Sequence, residues 1–200
     1  MQLTVPNALT LFRIVMVPIM VIAFYMPSRF ANLIAAVLFT IGALTDWLDG
    51  FIARRWQQYS AFGAFLDPVA DKITVCFALF LIVQADHEPL MAITAAVIVG
   101  REITISALRE WMAEIGQRTT VRVAGLGKFK TVLQMVAIII LLLQHRYAGR
   151  PLYEFGKYLL VAAAVITLWS GFVYLRAAWP LMRAEGKASG VPRQGSVDSE

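Results

Sequence analysis

Charge is scarce in this chain: charged residues make up 16% of its 200 positions against 59% hydrophobic, and the mean hydropathy is +0.68. So little polar surface cannot coat a soluble globule, and a multi-span membrane protein is expected. Cysteine is scarcer still. Cys76 stands alone in an apolar run, which excludes an internal disulfide and any cysteine-based metal site. The histidines His87 and His145 have no paired ligand near them and read as surface residues. No basic-aromatic patch or nucleic-acid motif accompanies the net charge of +5, so no nucleic-acid partner is expected. The surplus of Lys and Arg reads instead as a topology signal and as attraction to anionic lipid. No basic residue lies between Met1 and Ala8, and Arg13 interrupts the first apolar run, so that run reads as a retained span rather than a cleaved signal.

What is abundant is long apolar sequence. Six stretches can be drawn, roughly 9–25, 31–47, 65–83, 90–99 continuing towards 108, 131–144 and 158–175. Each is too long and continuous for a barrel strand, so the expected fold is an all-α membrane protein. It has six transmembrane helices in one bundle, with a short N-terminal interfacial segment. One domain covers 1–183, and 184–200, rich in Gly, Ser and charge, is expected to be a disordered cytoplasmic tail. The segments after the second, fourth and sixth stretches hold twelve basic residues, while the opposite side holds four, Arg29, Arg146, Arg150 and Lys157. The positive-inside rule therefore puts both termini in the cytoplasm. Trp47 and Trp56 near one boundary fit an interfacial aromatic belt.

Against this background four acids stand out. Asp46 and Asp49 close the second stretch three residues apart, and Asp67 and Asp71 open the third four residues apart, so each pair shares a helix face. Antiparallel neighbours can bring the pairs together at the cytoplasmic boundary. Four carboxylates in a partly desolvated site repel one another, and divalent cations remove the conflict. All-oxygen ligands favour Mg2+ or Mn2+, and two such ions suit phosphoryl transfer. Gly50, Gly63 and Ala53 leave room for close approach of a ligand, and Arg54 offers a fork for phosphate or a pyrimidine. For Asp67 alone a plainer reading exists, because Asp67-Pro68 looks like a helix N-cap followed by its first residue.

The spacing Asp46-x2-Asp49-Gly50-x2-Ala53-Arg54-x8-Gly63-x3-Asp67-x3-Asp71 resembles the full motif of the CDP-alcohol phosphotransferase family, gaps included. That family transfers a phosphatidyl or related group from a CDP-linked donor to an alcohol and releases CMP. The resemblance implies that Asp46, Asp49 and Asp67 are metal ligands. Asp71 would be the base on the acceptor hydroxyl and would also touch the second metal. Asp49, Gly50, Ala53, Arg54 and Gly63 would line the donor site. It also implies a homodimer in the bacterial inner membrane, with CDP-diacylglycerol and membrane lipids as partners.

The motif does not choose the acceptor. Pro6-Asn-Ala-Leu-Thr-Leu-Phe-Arg13 and Gly127-Lys-Phe-Lys-Thr131 resemble the bacterial branch of the family whose acceptor is glycerol 3-phosphate. An anionic acceptor needs cations, and Arg118, Arg122, Lys128 and Lys130 are the candidates for its phosphate, each with a topology or anchoring role as the plainer reading. Arg101 and Arg109 are weaker candidates, because each is followed by a glutamate and also fits an ordinary interfacial charge. Asn7 and Thr10 either cap an entry segment or contact the nucleotide, and Arg13 reads as a span-end arginine reaching for head groups. Branches that use phosphatidylglycerol, serine or an inositol phosphate are the alternatives. From another class, a cation transporter would place its acids near the bilayer midplane on repeated broken helices. Asp46 instead lies fifteen residues into its stretch, about 22 Å along a core about 30 Å thick, and no internal repeat is visible.

Overall fold

Helices approach most closely where their side chains are smallest, and this governs the first half of the chain. In the computed structural model, residues 5–56, 61–114 and 124–188 are described, and every element among them is helical. The elements are α1 (Val5–Tyr25), α2 (Ala31–Trp56), α3 (Ala61–Ala85), α4 (Pro89–Glu114) and α5 (Ala124–Ala188). On α2 the buried face is Ala31, Asn32, Ala35, Ala36, Phe39 and Gly42, mostly small. That strip lets α1 settle against α2 as small residues do between membrane helices. α1 also packs extensively on α3, whereas α2 and α3 touch only slightly, so α1 is the wedge between the two aspartate-bearing helices.

α5 is helical along its 65 residues, but it is not one straight rod. A Cβ on Gly156 would lie 2.8 Å from Ile140 Cγ2 and 3.2 Å from Leu141 Cδ2. Along a straight helix those positions are about 22–24 Å apart, so α5 doubles back between them. Its two arms, Lys130–Leu143 and Pro151–Pro180, are separate apolar helices facing each other, and the second begins seven residues earlier than the last apolar stretch read from sequence. Pro151 has no amide hydrogen to give and opens the second arm.

All arms contribute to one core, among them Met20, Phe39, Leu79, Ile82, Met91, Ile98, Ile138, Leu141 and Leu160. The outward faces are apolar as well: Ile22, Ile93, Trp169 and Phe172 are all more than 60% exposed. Such a surface suits lipid rather than water. Three helices are long and apolar enough to cross a membrane, Asn7–Tyr25, Pro89–Glu114 and Pro151–Pro180, and two shorter apolar ones accompany them, Ala31–Asp46 and Lys130–Leu143. These make a multi-pass, all-α membrane protein. Thr40, Thr74, Thr94 and Thr104 each donate to the carbonyl four residues back, which satisfies a hydroxyl within its own helix.

Two contacts, one near each end of the bundle, fix the direction of α4 against α5. Glu88 meets Lys157 and Arg101 meets Ser170, both 69 residues apart, so α4 and the second arm of α5 run parallel in constant register. The start of α1, the end of α2, the start of α3 and the end of α4 therefore gather at one end of the bundle. Lys130 and Ser170 of α5 join them there.

Candidate active site

Asn7, Thr10 and Arg13 recur at intervals of three on α1, and they are 7%, 3% and 1% exposed. One polar stripe of the wedge helix is thus turned inward. Its deepest member lies beside Gly42 of α2: Arg13 Cγ would be 3.7 Å from a Cβ there, and Thr74 Cγ2 of α3 3.8 Å from the same point, so the missing side chain leaves room for the arginine stem. Beyond the stem, Arg13 Nη1 donates to Asp46 Oδ1 at 2.8 Å, and Nη2 lies 3.5 Å from Asp67 Oδ1. The arginine read from sequence as a lipid anchor is therefore the most buried cation at the aspartates. A guanidinium here costs less than exposure to lipid because two carboxylates surround it.

The carboxylates themselves stay accessible. The side chains of Asp46 and Asp67 are 41% and 48% exposed, and Asp71, one turn further along α3, borders a small cavity with Arg13, Gly42, Thr74 and Met135. Asp67 is not an N-cap, because α3 begins six residues earlier and Pro68 lies inside the helix. The apolar part of α2 closes at Asp46, as expected, while the helix itself continues past Asp49 to Trp56. Asp49, Gly50, Ala53 and Arg54 occupy the next turns of α2, with side chains outside the described residues. Gly63 lies in the first turn of α3. Among the described residues no three of His, Cys, Asp and Glu close tightly enough to grip an ion. The donor set nevertheless suits Mg2+ or Mn2+: it is all oxygen, and Asp67 Oδ1 is buried without a hydrogen bond, a desolvation that a cation would offset.

A second cluster lies beside the acids. Lys130, 5% exposed, is within electrostatic reach of Arg101, Glu102 and Arg109. Arg101 Nη2 donates to Ser170 Oγ at 3.1 Å, and its stem crosses Gly171, where a Cβ would come within 3.3 Å of it. Arg109 stacks over the Tyr174 ring at 5.4 Å, and Lys72, next to Asp71, donates to Ser106 Oγ. The Glu102 charge also reaches Asp71. So Arg101 and Arg109 are built into the bundle rather than being loose interfacial charges. Their signal in the sequence was faint: Gly171 and Ser170 reveal their purpose only once α4 lies alongside them. Lys128 is on the first turns of α5 with its side chain outside the described residues, and Arg118 and Arg122 fall outside them altogether.

Open carboxylates at one end of an all-helical membrane bundle, backed by buried cations, define a membrane-embedded enzyme for phosphate-bearing substrates. The chain belongs to the CDP-alcohol phosphatidyltransferase family, whose model matches residues 3–169. It is therefore a transferase of substituted phosphate groups. It is 51% identical over 181 residues to the CDP-diacylglycerol–glycerol-3-phosphate 3-phosphatidyltransferase of Sodalis glossinidius, covering 89% of this chain and 96% of that relative. Proteins of the same name from Yersinia enterocolitica, 50% identical with 90% and 97% covered, and Salmonella choleraesuis, 48% identical with 89% and 96% covered, are similar to it too.

Proposed function

We propose that this protein transfers the phosphatidyl group of CDP-diacylglycerol to glycerol 3-phosphate, giving phosphatidylglycerophosphate and CMP. The observation that carries this reading is the cation cluster of buried Lys130 and half-buried Arg101 set beside the aspartates, since an anionic acceptor needs positive charge that a neutral alcohol does not. The half-identical relatives carry that activity in their names.

In this reading Asp46, Asp49, Asp67 and Asp71 would hold two divalent cations, Mg2+ or Mn2+. When bound, these supply charge neutralisation for the diphosphate and for the departing phosphate. Gly50, Ala53, Arg54 and Gly63 with Asn7 and Thr10 receive the cytidine diphosphate, the last two from the inward stripe of α1. Lys130 and Arg101, with Lys128, Arg118 and Arg122, hold the acceptor phosphate. Asp71 takes the proton from the acceptor hydroxyl as its oxygen attacks the phosphorus bearing the diacylglycerol. The bond from that phosphorus to the bridging oxygen breaks, and CMP leaves with the electron pair. Holding both substrates in line at one membrane edge supplies much of the acceleration.

The bacterial inner membrane is the proposed location, with the active site and both termini cytoplasmic, supported by the excess of Lys and Arg on the aspartate side. A single domain over 1–183 with a polar tail, acting as a homodimer, completes the proposal.

The test uses protein purified in detergent, CDP-diacylglycerol, and Mg2+ or Mn2+. CMP release is measured with glycerol 3-phosphate, phosphatidylglycerol, serine and inositol phosphate in turn. Release with glycerol 3-phosphate is expected. Release with serine alone would overturn the acceptor, and no release from folded protein with any acceptor would sink the whole reading.

A further inference from the structure

A buried arginine inside a membrane bundle calls for an account of what it does there. Arg13 is 1% exposed, the most buried charged side chain among the described residues. Its two terminal nitrogens face different helices, with Asp46 of α2 at 2.8 Å and Asp67 of α3 at 3.5 Å. Those helices make slight contact with each other and meet chiefly through α1. The stem lies beside Gly42, where the absent side chain leaves it room, with Thr74 close to the same point. A planar fork with separate donors suits two carboxylates on different elements in a way that a point charge does not.

We infer that Arg13 is the resident counter-ion of the aspartate site, a positioning residue whose guanidinium spans Asp46 and Asp67 until a divalent cation displaces it. Bridging keeps like charges on α2 and α3 from pushing the helices apart when no cation is bound. The same positive charge opposes an incoming cation, so ion and guanidinium compete for these oxygens. The looser contact at Asp67, whose Oδ1 is buried without a hydrogen bond, is the point where a cation enters. Such an arrangement preserves the spacing of the two acid pairs between turnovers, at the expense of cation affinity. This inference rests on the reading of the aspartates as metal ligands.

The experiment compares wild type, Arg13→Lys and Arg13→Gln, purified in detergent. Thermal unfolding is followed in EDTA and in saturating Mn2+, and free Mn2+ is titrated by electron paramagnetic resonance. Arg13→Gln is expected to melt lowest in EDTA and to gain most from Mn2+, with Arg13→Lys in between and wild type gaining least. Mn2+ binding should tighten about tenfold in Arg13→Gln, as expected when an adjacent positive charge is removed. An arginine that merely filled space would shift the melting point equally with and without Mn2+. Should Arg13→Gln not fold, wild type against Arg13→Lys decides the order. Equal Mn2+ gains in all variants, or weaker binding in Arg13→Gln, would overturn the inference and leave the metal reading standing. Absence of any Mn2+ effect on wild type would sink both.

Discussion

At the end of the bundle away from the aspartates, the ionic side chains that the fold draws inward are answered among the described residues. Tyr153 donates to Asp86, and Lys157 is held by both oxygens of Glu88 at 3.0–3.1 Å and by Glu154 at 3.1 Å, above the Tyr153 ring. These bonds tie the α3–α4 turn to the second arm of α5. At the aspartate end the same kinds of group are left incomplete. Asp67 Oδ1, Arg101 Nε, Gln134 Oε1 and Thr167 Oγ1 are buried there without hydrogen bonds. Buried polar atoms are normally satisfied, and unsatisfied ones concentrate where a ligand completes them. One end fastens the helices; the other holds buried polar atoms without hydrogen bonds beside the aspartates.

This contrast can be broken or sharpened by substitution. The largest effect is expected from Asp71→Asn, which should lower turnover by about a hundred- to ten-thousandfold while Mn2+-dependent binding of CDP-diacylglycerol persists; unchanged turnover would refute its role as the base. Next comes Arg101→Ala. Loss of a charged contact to the acceptor should raise the KM for glycerol 3-phosphate roughly ten- to hundredfold, with the KM for the donor little altered. If both constants rise together, the cluster serves packing rather than the acceptor.

At the fastening end the expected changes are in stability alone. Gly156→Ala forces a methyl group against Ile140, where only 2.8 Å is available, and should cost about 1–3 kcal/mol in unfolding experiments. The smallest effect is expected from Glu88→Gln. Its side chain is 55% exposed and Lys157 keeps Glu154, so the loss should be at most about 1 kcal/mol. Both variants should turn over normally once folded. A fall in kcat with an unchanged melting point would show that the two ends are mechanically coupled.

The helical membrane fold was legible because it depends on composition and run length, which any order of packing must respect. The acids were legible too, since three- and four-residue spacing fixes a helix face before any neighbour arrives. Arg13 was not. Near a span end, an arginine that reaches lipid head groups and one that turns inward have the same sequence, and only the wedge position of α1 separates them. Arg101 stood out only weakly for a related reason, because its partners Ser170 and Gly171 are 69 and 70 residues away. The Asp67-Pro68 pair suggested a helix start by local chemistry, yet α3 begins at Ala61, and tertiary packing overrode the local signal.

By itself, then, the sequence determined that this chain enters the membrane as helices and carries paired acids at a boundary. Hydrophobic length and helical period are properties of a segment alone. The tertiary structure decided what answers those acids. A buried charge is tolerable only next to an opposite one, and which helices lie side by side is settled by the packing of the whole bundle.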